Sequence, residues 1–129
     1  MKAKVYTVDE GNRVLPIIRK TFSEAKALRV RIGSRNLDYE FMQIGDENSS
    51  GNAALAQIKT EIDTLVEDFR RKVAFLENLG VQIKQFDPGI IDFFSIRDGC
   101  VVLLCWREGE PSIRYWHPLD AGFAERQPV

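Results

Sequence analysis

His117 is the only histidine in the chain, and it stands between Trp116 and Pro118 in a closing segment that also carries Glu110, Asp120 and Arg126. An imidazole within reach of a carboxylate can move a proton near neutral pH or ligate a metal ion. Asp92, Glu110 and Asp120 are the carboxylates that could serve it. Zinc sites gather three or four nitrogen, sulfur or oxygen donors, so one histidine and Cys105 make a thin set whose spacing names no metal. The plainer reading of His117 is a ring hydrogen-bonded to backbone at the end of a strand. Cys105 has the same two faces. It would act as a nucleophile only if its thiolate were favoured; a neighbouring carboxylate works against that and Arg114 works for it. Otherwise it packs as a small hydrophobe. Trp106 and Trp116 are anchors of a core or an interface, and beside Arg107, Arg114 and Arg126 they also suit a pocket for a small anionic or planar ligand. A rim of salt bridges around stacked aromatics fits the same residues.

The rest of the chain must position these groups. Its 129 residues suit one domain, with roughly two-thirds of the unfolded surface buried on folding. A formal net charge of −1 lacks the broad positive field that nucleic-acid binders use. The start of the sequence has no signal-peptide pattern, and no apolar run approaches the ~20 residues of a membrane span. A cytoplasmic protein without a nucleic-acid or membrane partner is the expectation. Cys100 and Cys105, five residues apart in one extended stretch, would sit ~16 Å apart on opposite faces and stay reduced.

Thr7 and Glu10 have the spacing of a helix-start capping box, which predicts a helix from about Val8. Pro16 marks a kink or restart, and Ile18, Phe22, Ala25, Leu28 and Ile32, then Leu37, Phe41 and Ile44, keep helical spacing. Residues 45–52, GDENSSGN, read as a loop. Leu55, Ile58, Ile62, Leu65, Phe69, Val73, Leu76 and Leu79 form the seam of a second helix ended by Gly80. From Val81 the pattern alternates: strands begin at Val81, at IIDFFSI, at VVLLCWR after Asp98-Gly99, and at SIRYWH after EGEP. The expected architecture is α+β, a long antiparallel helical hairpin over about 7–80 packed on a small antiparallel sheet of three to four strands, with a C-terminal clasp, over about 81–129.

A two-residue turn at Asp98-Gly99 pairs Asp92 with Cys105 and Ile91 with Trp106. A second such turn at Gly109-Glu110 would pair Cys105 with Arg114 and Leu104 with Tyr115. One sheet face then carries Ile91, Phe93, Val102, Leu104, Trp106, Ile113 and Tyr115 toward the helices, with His117 at its end. The other carries Asp92, Phe94, Ile96, Leu103, Cys105, Arg107, Arg114 and Trp116, with Asp92 and Arg114 set to pair. Pro111 can lengthen the second turn, and a slip of one residue would move Arg114 and Trp116 across the sheet. The second face is too apolar to stand in water, so the DAGFAERQP tail, a second copy of the chain or a ligand should cover it. Asp120 and Arg126 could pair to pin that tail.

YTVDE, LGVQIK, GIIDF, LCWREGEP and YWHPLDAGFAERQP in this order resemble the bacterial family called domain of unknown function 2203. The match includes Asp92, Cys105, Trp106, Gly109, Glu110, Trp116, His117, Asp120, Gly122, Phe123 and Arg126, while Phe94 stands where the family's DFP motif has proline. The resemblance implies a fold and a region of interest, and no reaction. The functional expectation is a binding or assembly module, a homodimer, using the face around Asp92, Cys105, Trp106, Glu110, Arg114, Trp116, His117, Asp120 and Arg126. The alternative is a small metal-assisted or acid/base enzyme centred on His117. No particular cofactor is indicated.

Overall fold

Thr7 and Glu10 close the capping box that starts the first helix. The Thr7 amide donates to Glu10 Oε1 at 2.9 Å and the Glu10 amide to Thr7 Oγ1 at 3.1 Å, satisfying two amides that have no partner within the helix. The bond from the Thr7 amide, followed by that involving its hydroxyl, holds the Glu10 carboxyl below its ordinary pKa. The computed structural model describes residues 4–45 and 53–129. Helix α1 runs Val8–Gly45 through Pro16, and α2 runs Ala53–Asn78. Five strands follow: β1 Val81–Phe86, β2 Gly89–Arg97, β3 Cys100–Arg107, β4 Tyr115–Pro118 and β5 Gln127–Pro128, antiparallel in sequence order. The loop expected at 45–52 lies, beyond Gly45, outside the described residues. The α+β expectation holds, with five strands rather than three or four because the tail itself adds a short strand at the edge.

Contacts divide the chain into two units, residues 1–22 with 74–129, and residues 23–73. In the second unit the helices are antiparallel: Lys72 reaches Glu24 at 3.2 Å and Arg35 reaches Glu61 at 2.8 Å, so residues ascending on one helix meet residues descending on the other. These exposed pairs set alignment more than stability. Ala25, Leu55, Ile58 and Leu65 supply the buried apolar surface there. In the first unit Leu15, Ile18 and Phe22 of α1, at helical spacing, are buried with Tyr6, Leu76, Val81, Ile91, Phe93, Leu104, Trp106 and Ile113. Tyr6 joins the segment before α1 to the sheet: its amide donates to Phe94 O at 2.7 Å, its carbonyl accepts from Ser95 Oγ at 2.5 Å, and its hydroxyl donates to Leu79 O.

Two glycines act where the sequence placed them. Gly80 ends α2 at φ 85°, and Asp98 and Gly99 take φ 52° and 79°, the left-handed pair of a two-residue hairpin turn. That turn fixes β2 against β3 with Asp92 opposite Cys105, Phe93 opposite Leu104 and Ile91 opposite Trp106, as the residues predict.

The next register differs by one residue. Cys105 faces Tyr115, Leu104 faces Trp116 and Leu103 faces His117. The connection is longer than a two-residue turn because the chain goes back to α1 between the strands. Glu110 N closes a turn onto Arg107 O at 3.0 Å, with Gly109 at φ 103°. Pro111 has no amide to offer a ladder. Ile113 then leaves the sheet line: its amide donates to Asn12 Oδ1 at 2.6 Å, and its side chain lies so close to α1 that a Cβ on Gly11 would come within 2.6 Å of Ile113 Cδ1. Pairing therefore resumes only at Tyr115.

Candidate functional site

Because side chains alternate across a strand, the one-residue shift exchanges the occupants of the two faces. Trp116 moves to the helix side, where it packs against the core with the Arg97 guanidinium 4.7 Å from its ring centre. Trp106 is fully buried on that side, its Nε1 donating to Glu110 O at 2.8 Å. Arg114 is exposed and bonds Ser112 Oγ at 3.3 Å; the expected Asp92–Arg114 pair does not form. His117 moves the other way. It leaves the end of the helix-facing surface and arrives over Leu103, beside Asp92 and Cys105.

His117 and Asp92 are each 2% exposed, and Nε2 lies 3.1 Å from Asp92 Oδ2. The other ring nitrogen, Nδ1, is 2.9 Å from Pro118 O. A carbonyl can only accept, so Nδ1 carries a hydrogen. The 3.1 Å approach of Nε2 to Oδ2 is a hydrogen bond when the two atoms share a proton, and with that proton in place the pair has no net charge. Burial pushes the Asp92 carboxyl above its ordinary pKa, opposed first by the charge of His117. Asp92 Oδ1 has no hydrogen-bond partner. Among the described residues only Trp116 Nε1 shares that condition, which is rare for buried polar atoms.

Cys105 is the third member. Its sulfur, a carboxylate oxygen of Asp92 and a ring nitrogen of His117 all lie within 4.8 Å of one another. Burial, then the Asp92 charge, pushes the thiol up to about 12, so by itself it is no nucleophile at neutral pH. Cys100 is free and exposed, and Cys105 is free and buried.

The tail folds over this side of the sheet. Leu119, Ala121, Gly122 and Phe123 form one wall of a cavity of about 260 Å³. Lys84, Gln85 and Ile90 form another, and Asp92, Leu103 and His117 complete the lining. The clasp is not Asp120, which is exposed, with Arg126. Arg126 Nη1 instead reaches both oxygens of Glu110 at 3.0 and 3.1 Å, and its guanidinium lies 4.2 Å from the Tyr115 ring centre and 4.0 Å from that of Phe123. With both charged groups mostly buried, this pair is a stronger fastening than a surface salt bridge. Glu110 is positioned by its own turn, where Oε1 also accepts from the Arg107 amide at 2.6 Å.

Of the candidate residues, the fold therefore brings together Asp92, Cys105 and His117, joins Glu110 to Arg126 at the clasp, and directs Trp106, Arg114, Trp116 and Asp120 elsewhere. Lys84 and Gln85 were not singled out by their sequence context. The pairing of β1 with β2 shifts between Ile83 and Gln85, and this irregularity lets two successive polar side chains line the cavity. Nothing in VQIKQF signals a bulge.

The chain belongs to the family described as uncharacterized conserved protein (DUF2203), which it matches over residues 4–129. The family carries no assigned activity. No curated protein and no solved structure matches the chain. No helix among the described residues is long and apolar enough to cross a membrane.

Proposed function

We propose that the protein is a binding module that takes a small anionic molecule into the cavity over Asp92 and His117. What carries the reading is the charge of the lining. With a proton shared between Nε2 and Oδ2 the Asp92–His117 pair is neutral as a unit, and Lys84 then leaves the cavity with one net positive charge among otherwise uncharged walls. Ile90, Leu103 and Phe123 supply apolar walls beside the exposed Lys84 ammonium. Gln85 offers an amide donor that can orient the ligand. Calorimetric titration of the full chain with inorganic phosphate and with acetate tests this. Saturable binding of at least one is expected, weakened about 3-fold in Lys84→Gln, as loss of one exposed charge contact of about 0.6 kcal/mol would give. Equal affinity in wild type and Lys84→Gln would exclude the cavity as the site.

Self-association is a second reading, favoured by a different surface. Val30, Leu37, Phe41 and Ile44 of α1 are 72%, 55%, 70% and 78% exposed, and their spacings of seven, four and three residues set them along one helical stripe. Such a stripe on a charged helix suits the same stripe of a second copy. Sedimentation equilibrium should return a dimer that Phe41→Glu dissociates. A monomer at the highest soluble concentration would remove this reading.

A further inference from the structure

We propose that Asp92, Cys105 and His117 hold one divalent transition-metal ion of the zinc class through a carboxylate oxygen, Sγ and Nε2, leaving a coordination position facing the cavity. Three observations meet here. The three donor atoms already lie within 4.8 Å of one another. Tetrahedral coordination at zinc's usual bond lengths separates donors by about 3.3–3.8 Å, so closing on an ion needs side-chain movements of about 1 Å. The histidine is oriented as metal-ligating histidines are: Nδ1–H is fixed on the Pro118 carbonyl, which leaves Nε2 directed at the cluster. Finally, Asp92 Oδ1 is a buried acceptor without a partner in hydrogen-bond geometry, the carboxyl interacts with the Cys105 thiol, and one carboxylate can serve the ion through either oxygen.

The donor set narrows the ion. Sulfur with imidazole disfavours magnesium and calcium, and a single carboxylate in a mixed set suits zinc, cobalt or ferrous iron. Coordination forms one bond each to oxygen, sulfur and nitrogen and releases two protons to solvent, the one between Nε2 and Oδ2 and that of the thiol. Two positive charges enter as two protons leave, so the buried cluster stays neutral and no unpaired charge is created. Three protein ligands with a position left over match sites that exchange a ligand rather than closed structural sites. Asp92 and His117 both line the cavity, so the remaining position is where a small anion would arrive. The role of that open position rests on the cavity being the working site; the three ligands do not.

The test is metal alone, with no anion present, added to full-length protein stripped by a chelator. Elemental analysis after gel filtration should find one zinc per chain. Cobalt should produce visible d–d bands together with a thiolate-to-cobalt charge-transfer band. Cys105→Ser should abolish the charge-transfer band, Asp92→Asn should weaken binding by at least about 10-fold, and Cys100→Ser, altering an exposed thiol outside the cluster, should change neither. No retained zinc, no thiolate band in the wild type, or a band that disappears in Cys100→Ser would overturn the proposal. The last of these stands even if Cys105→Ser does not fold. Metal retention without phosphate or acetate binding would leave the ion site and remove the anion reading; the opposite pattern would do the reverse.

Discussion

Asp92→Ala should cost about 3–5 kcal/mol of folding free energy, measured by urea denaturation, because it leaves the His117 imidazole buried without its acceptor. The cavity lets water approach the ring, which places the expectation at the lower end of that range. This is a large part of the 5–15 kcal/mol that holds a domain of this size. The informative comparison is Asp92→Leu combined with His117→Phe. Both replacements are apolar, place their added volume in the adjoining cavity and remove the need for a partner, so the double variant should recover to within about 1 kcal/mol of wild type or exceed it. Anion and metal binding should both be lost. A protein that is easier to fold without its buried polar pair retains the pair for what it binds. An Asp92→Ala cost below 1 kcal/mol, or a double variant no more stable than the single ones, would show that the pair is not coupled in the way its geometry requires.

Trp106→Ala should cost about 3–5 kcal/mol by the same measurement, and it should also loosen the cavity on the far side of the sheet. The indole is fully buried among the residues that join α1 to the strands, so truncation removes its contacts and opens a void. Its Nε1–H also anchors Glu110 O, and Glu110 is the residue that holds Arg126 and with it the tail wall of the cavity. Trp106→Phe separates the two contributions. It keeps most of the packing and loses only the hydrogen bond, about 1–2 kcal/mol, yet it should weaken phosphate or acetate binding as the tail becomes less firmly held. A Trp106→Phe variant with unchanged affinity would mean that the clasp does not depend on the indole.

What could be read from the residues and what could not divide along physical lines. The capping box at Thr7 and Glu10, the stop at Gly80 and the turn at Asp98-Gly99 are local: two or three residues determine the geometry, and each appears where its chemistry places it. The Asp92–Cys105 pairing follows from that turn by counting alone. The step after it does not, because the length of the Glu108–Arg114 connection is set by Gly11 and Asn12, about a hundred residues away. Pro111 showed that the count could slip without showing which way. That slip is what takes His117 to Asp92 and Cys105, so the site became visible only with the tertiary contact that causes it. Proximity in sequence points to Asp120 as the partner of Arg126, whereas the turn at Arg107–Glu110 presents a better enclosed carboxylate. Lys84 was missed because a bulge in β1 has no signature in VQIKQF.

Since His117 is the only histidine, its imidazole gives one unambiguous set of signals in nitrogen–proton correlation spectra of uniformly labelled protein. The account predicts an Nδ1 bearing a slowly exchanging hydrogen, an Nε2 coupled to the carboxylate and thus displaced by Asp92→Asn, and a shift of the same signals when phosphate or zinc is added. An imidazole whose hydrogens exchange as fast as those of a free side chain, and whose signals stay fixed through both titrations, would contradict it.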